Sequence, residues 1–192
     1  RLRLGPIALL GPTGRGQPKA WREYLLFGAA SFAGPEAARP LPDLVLRRRE
    51  SFTLSAWFRG KAAGVLLARQ DTSLTGTPTS SALQVQLDAE GRLRVRGGDQ
   101  VVSSAPGFTD GEWHHLALSF TRQDLRVYLD GVPRGGCSAD RQAAAFAQLG
   151  SGYLAGAWRP WSGTLAEVFL TREPWDPERV AQAARERPPS TR

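Results

Sequence analysis

The feature that most constrains this chain is a two-residue hydrophobic alternation that returns between turns. Leu83, Val85 and Leu87 alternate with Gln84, Gln86 and Asp88. Leu93 and Val95 alternate with Arg92, Arg94 and Arg96, and Leu125, Val127 and Leu129 with Arg126 and Tyr128. Successive strand side chains point to opposite faces, so each run reads as a half-buried strand. Ala89-Glu90-Gly91 separates the first two runs and Asp130-Gly131 closes the third, both hairpin signals. Apolar runs at 24–32, 44–46, 52–58, 64–68, 113–120, 144–149, 153–157 and 164–170 read as further strands, with another at 100–104. Residues 72–81, rich in Ser and Thr around Gly76 and Pro78, read as a loop. One segment has helical spacing. Asp176 suits an N-cap, Pro177 the first helical position, and Val180, Ala181 and Ala184 form a stripe before Pro188-Pro189. About ten short strands and one terminal helix predict an all-β sandwich.

The 192 residues are enough to bury a core without disulfides or a metal. Residues 1–20 are rich in Gly and Pro and read as an N-terminal segment or linker, 21–187 as the sandwich, and 188–192 as a tail. No apolar run approaches the roughly 20 residues that span a bilayer, and no stretch reads as a signal peptide. The chain opens at Arg1 and contains no Met, so it is expected to be a piece of something longer. The lone cysteine, Cys137, makes no internal bridge and excludes Cys-rich zinc sites.

The net charge is +7, carried by 23 Arg and 2 Lys against 18 acidic residues. Such a balance favours anionic partners, but no nucleic-acid readout motif accompanies it. Arg92, Arg94 and Arg96 share one strand face at about 6.5 to 7 Å spacing, which suits sulfates or carboxylates. Arg47 to Arg49, Arg59 and Lys61 extend this candidate anion site if they fold nearby. Trp158 and Trp161, in Ala-Trp-Arg-Pro-Trp, are candidate aromatic contacts for a sugar or a protein, or else plugs for the end of the sandwich.

Catalytic patterns are missing. No strand carries the facing carboxylates of a glycosidase, and Glu167 stands alone in its strand. His114 and His115 are adjacent and point to opposite faces, so they cannot chelate one metal. There is no phosphate-binding loop, dinucleotide fingerprint or nucleophile elbow. The expectation is a protein that is not an enzyme.

Four marks in order resemble the laminin G-like and pentraxin group, a concanavalin A-like jelly roll. They are Ser-Phe-Thr-Leu-Ser-Ala-Trp at 51–57, Asp-Gly-Glu-Trp-His at 110–114, Tyr-Leu-Asp-Gly at 128–131, and Gly-Thr-Leu-Ala-Glu-Val-Phe at 163–169. The resemblance implies a two-sheet antiparallel jelly roll with Trp57, Trp113 and Phe120 in its interior. In the pentraxin branch a cysteine bridge joins the positions that here are Ser55 and Ala117. Asp71, in Arg-Gln-Asp at 69–71, matches a calcium-ligand position, but Ser151-Gly152-Tyr153 falls where the main acidic loop belongs. At most a weak calcium site at Asp71 is implied, and no other cofactor. Non-catalytic members of the group bind glycans, glycosaminoglycans or proteins. The resemblance therefore implies a recognition module of a larger extracellular protein or receptor ectodomain, binding a protein or a sulfated glycan. The alternatives are an accessory carbohydrate-binding domain attached to a hydrolase, and an intracellular scaffold domain.

Overall fold

The structure, a computed structural model, describes residues 23–41, 51–72, 78–121, 124–138 and 146–186. The N-terminal segment 1–20, the strand expected at 44–46, Arg47 to Arg49 and the tail 188–192 lie outside the described residues.

The described chain is a sandwich of two six-stranded antiparallel sheets. In chain order the strands are β1 (Glu23–Ala33), β2 (Arg39–Pro40), β3 (Phe52–Gly60), β4 (Gly64–Thr72), β5 (Pro78–Leu87), β6 (Leu93–Gly97), β7 (Gln100–Ser103), β8 (His114–Phe120), β9 (Asp124–Leu129), β10 (Val132–Ser138), β11 (Phe146–Leu149), β12 (Tyr153–Leu154), β13 (Ala157–Trp158) and β14 (Ser162–Thr171). Sheet A has the order β1-β14-β3-β8-β9-β10 and sheet B the order β2-β11-β4-β5-β6-β7. The helix α1 spans Pro177–Arg185.

The alternating residues build the core between the sheets. Leu54, Ala56, Phe58, Leu116, Leu118, Phe120, Leu125, Val127 and Leu129 of sheet A meet Leu83, Val85, Leu87, Leu93 and Val95 of sheet B. Strict alternation breaks in β14, where Leu165, Val168 and Leu170 all reach the core. A bulge absorbs the extra residue: the register with β3 shifts between Ala166 and Phe169, and Glu167 takes a positive φ of 47°.

The expected turns and helix cap are present. Asp130 and Gly131 have φ values of 52° and 78°, which join β9 to β10 through a two-residue turn. Asp176 caps α1 by accepting the Arg179 N–H at 2.8 Å. The helix buries Val180 and Ala183, a narrower seam than the expected Val180-Ala181-Ala184 stripe. Ala181 and Ala184 instead pack over the Gly131 turn.

Three expectations need correction. Residues 78–81 belong to strand β5, not to a loop. The run 153–157 is not one strand. It is the start of the β12–β13 hairpin, because Ala155 and Gly156 have φ values of 49° and 81° and reverse the chain. Of the aromatics expected inside, only Phe120 lies between the sheets. Trp57 is buried on the outer face of sheet A against His115, and Trp113 is half-buried at the rim under Arg59.

Candidate functional site

Each sheet has an outer face, and a returning chain segment covers part of each. The segment 150–161 lies across sheet B. Gly150 N–H donates to Leu66 O at 2.8 Å, and Val65 N–H to Arg159 O at 3.1 Å. Three glutamines on neighbouring strands hold its centre. Gln70 of β4 accepts the Tyr153 N–H at 2.8 Å and donates to Tyr153 O at 2.8 Å. Gln84 of β5 also donates to Tyr153 O, at 3.3 Å, and Gln148 of β11 to Ser151 O at 3.0 Å. Gly152 sits directly on the sheet, where a Cβ would meet Val65 Cγ1 at 2.7 Å and Ala68 Cβ at 2.8 Å.

This seating buries Val65, Ala68, Gln70 and Gln84 and raises the β12–β13 hairpin into solvent. On the hairpin, Tyr153 pairs with Trp158 and the rings meet edge-on at 5.7 Å. Trp158 is 49% exposed. Trp161 is fully buried, 6.0 Å from the Phe32 ring and packed against Gly60 and Gly163. Of the two readings for these tryptophans, Trp161 therefore fits the plug, while Trp158 keeps about half its surface in solvent.

The arginines lie beside the hairpin on the same face. Gln84 pairs with Arg96 and Gln86 with Arg94 across β5 and β6, so both arginines stand one strand beyond the glutamine that holds Tyr153. The three arginines of the stripe are not equivalent. Arg94 Nε lies 2.8 Å from Asp88 Oδ2, a charge contact rather than an aligned hydrogen bond. Burial works against the Asp88 charge, but the N–H groups of Arg92 and Glu90 and the Arg94 guanidinium hold its carboxyl below the usual range. Arg92 precedes the strand, at the Asp88 turn. Arg96 makes no ion pair among the described residues.

Arg59 and Lys61 do not extend this stripe. Arg59 alternates with Phe58 and so lies on the outer face of sheet A, with Lys61 just beyond the strand end. Asp71, on β4, was the calcium candidate. Among the described residues no group of three His, Cys, Asp or Glu is placed to hold a metal ion. A calcium ion at Asp71 would draw most of its six to eight oxygens from backbone carbonyls and water.

On sheet A the covering segment is 173–175 with α1. Thr53 Oγ1 donates to Glu173 O at 2.9 Å and accepts the Trp175 N–H at 2.8 Å, while Ser119 Oγ donates to Trp175 O at 3.0 Å. Ser55 and Ala117, the positions of the pentraxin bridge, are cross-strand partners here. Ser55 Oγ is instead hydrogen-bonded to His115 Nε2 at 2.8 Å. Both residues are buried, and His115 Nδ1 has no hydrogen-bond partner among the described residues. His114 bridges two turns, with Nδ1 3.0 Å from Asp130 Oδ2 and Nε2 3.1 Å from Asp110 Oδ1. The Asp130 contact and the Asp110 contact outweigh burial and raise its pKa. Cys137 is a buried free thiol on β10, and desolvation pushes its pKa up.

Two stacked antiparallel sheets in these orders form the jelly-roll sandwich of the concanavalin A-like class. The chain belongs to the Laminin_G_3 family of the concanavalin A-like lectin/glucanases superfamily, whose model matches residues 34–181. Among solved structures it is similar to Trypanosoma rangeli sialidase in complex with sialic acid, at 18% identity and a TM-score of 0.58, covering 70% of this chain and 23% of that one. It is also similar to domain 4 of AbnA, a GH43 extracellular arabinanase from Geobacillus stearothermophilus, in complex with arabinotriose. That match has 18% identity and a TM-score of 0.50, and covers 73% of this chain and 69% of that one. A third is the binding domain of Paraclostridial Mosquitocidal Protein 1, at 10% identity and a TM-score of 0.55, covering 84% and 46%. The chain spans less than a quarter of the length of the sialidases it matches, and these likenesses carry the fold alone. No helix among the described residues is long and apolar enough to cross a membrane.

Proposed function

We propose that this domain is a non-catalytic recognition module of a larger extracellular protein, and that it binds an anionic glycan on the outer face of sheet B. The observation that carries this reading is the β12–β13 hairpin, held by Gln70, Gln84 and Gln148 so that Trp158 stands half exposed beside the Arg94–Arg96 strand. A fixed indole stacks on a sugar ring at little entropic cost, and arginine forks take its sulfates or carboxylates. Arg96 and Arg92 supply the charge, with Arg94 tempered by Asp88.

The absence of catalysis is supported by the chemistry of the Ser–His pair. Ser55 and His115 are both buried, and among the described residues no carboxylate orients His115 Nδ1.

A second reading, an accessory carbohydrate-binding domain beside a hydrolase, is favoured by the arabinanase domain with arabinotriose and by the sialidases. Its ligand would be a neutral or singly charged oligosaccharide, stacked on Trp158 with little help from the arginines.

A glycan and glycosaminoglycan array, probed in calcium and then in EDTA at rising salt, tests both. Binding to sulfated chains that survives EDTA and weakens with salt is expected. Salt-independent binding to neutral arabinan or sialoglycans would favour the second reading, and no binding in any buffer would overturn the glycan assignment.

A further inference from the structure

A second basic site lies on the opposite side of the sandwich. Arg59 ends β3 on the outer face of sheet A, and its guanidinium sits 4.8 Å from the centroid of the Trp113 ring. A guanidinium held over an indole has lost much of its rotational freedom, yet its in-plane N–H donors still face outward. Lys61 follows two residues later and is exposed. Its stem crosses Gly111, where an added Cβ would lie 2.6 Å from Lys61 Cε. Gly111 has a φ of 89°, so the turn that makes room for Lys61 also requires glycine.

Neither cation has an ion-pair partner among the described residues. The acids of the same turn are Asp110, engaged by His114 at 3.1 Å, and the exposed Glu112. Two cations thus sit over one turn, at Trp113 and Gly111, one of them pre-oriented and neither with a counter-charge among the described residues.

We infer that Arg59 and Lys61, backed by Trp113, form a second oxyanion site for a sulfated or carboxylated glycan, so that one domain bridges two glycan segments. Two stacked sheets already stand about 10 Å apart before their outer side chains are counted. A short oligosaccharide therefore occupies one face or the other, and a long chain must leave one face free for a second chain. The bridging rests on the glycan-binding reading of sheet B, whereas the Arg59–Lys61 site does not.

The test uses a heparin-derived hexasaccharide for calorimetric stoichiometry and long-chain heparin for light scattering. Two hexasaccharides per domain are expected, with large clusters on long chains. Arg59→Ala with Lys61→Ala should leave one site and abolish clustering, and so should Arg96→Ala with Trp158→Ala. Lys61→Glu alone, at an exposed position, should weaken the second site about tenfold without touching the fold. A single wild-type site unchanged by the Arg59/Lys61 pair or by Lys61→Glu would overturn the inference. A single site lost in the Arg59/Lys61 pair but indifferent to Arg96 and Trp158 would keep this site and instead overturn the sheet B reading.

Discussion

Ser55 Oγ and His115 Nε2 meet at 2.8 Å on the outer face of sheet A, diagonally across the strands and two residues from Ala117, the register partner of Ser55. Ser55 and its register partner Ala117 stand at the two positions that the pentraxin resemblance assigns to a cysteine bridge. The His115 imidazole packs edge-on to Trp57 at 5.0 Å. Burial lowers the His115 pKa from 6.5 to about 4.

The two adjacent histidines should make stability depend on pH in opposite senses. The folded pKa of His115 is depressed, so its contribution is present above pH 6.5 and is lost as pH falls toward about 4. That loss is on the order of 3 kcal/mol. The folded pKa of His114 is raised, so its contribution is full below 6.5 and fades as pH rises through the folded value. Thermal melts of His114→Gln should lose stability chiefly on the acid side, while those of His115→Gln should flatten between pH 4 and 6.5. Parallel pH profiles for the two variants would show the assignments to be wrong.

Holding the hairpin should matter for binding more than for the fold as a whole. Gln70→Leu removes both Gln70 bonds to Tyr153, taking the partner from its N–H and leaving its C=O to Gln84. A stability loss of about 2 kcal/mol is expected, with a larger proportional loss of glycan affinity. Gly152→Val should do the same by steric lift, since the sheet leaves no room for a side chain there. Hydrogen exchange at 151–158 would report the loosened hairpin directly.

The two tryptophans of the same short stretch should separate cleanly. Trp158→Ala should leave the melting temperature nearly unchanged and remove glycan binding. Trp161→Ala empties a fully buried site and should cost about 3 to 5 kcal/mol. Denaturant melts alongside array binding check both, and a strongly destabilised Trp158→Ala would place that ring among the structural residues.

Asp88 should restrain the basic strand. Asp88→Asn removes the charge facing Arg94 and keeps an acceptor for the Arg92 and Glu90 N–H groups. Affinity for heparin should rise by a few-fold at low salt, and the slope of log affinity against log salt should steepen by up to about one. An unchanged slope would remove Arg94 from the binding face.

Cys137 should resist modification. Its thiol is buried and its pKa is raised by desolvation, so thiolate is scarce at neutral pH. Labelling by a disulfide reagent should follow the unfolding transition.

The sequence by itself determined most of the strands, the Asp-Gly turn and the helix start, because these depend on neighbours a few positions apart. Period two marks β5, β6 and β9, Asp130-Gly131 supplies the positive φ values of its turn, and Asp176-Pro177 starts α1. It also placed Arg94 and Arg96 on one face and the two histidines on opposite ones. Alternation, however, separates two faces without saying what covers either. Only the tertiary structure decided that residues 150–161 return over sheet B, with Gln70 and Tyr153 meeting across 83 positions. It likewise decided that 173–175 return over Thr53 and Ser119, with Thr53 and Trp175 meeting across 122. The same long-range returns bury Trp161, expose Trp158, and divide Arg59 and Lys61 from the Arg94–Arg96 face. The physical reason is that burial is a property of the partner surface, and here that partner arrives from the far end of the chain.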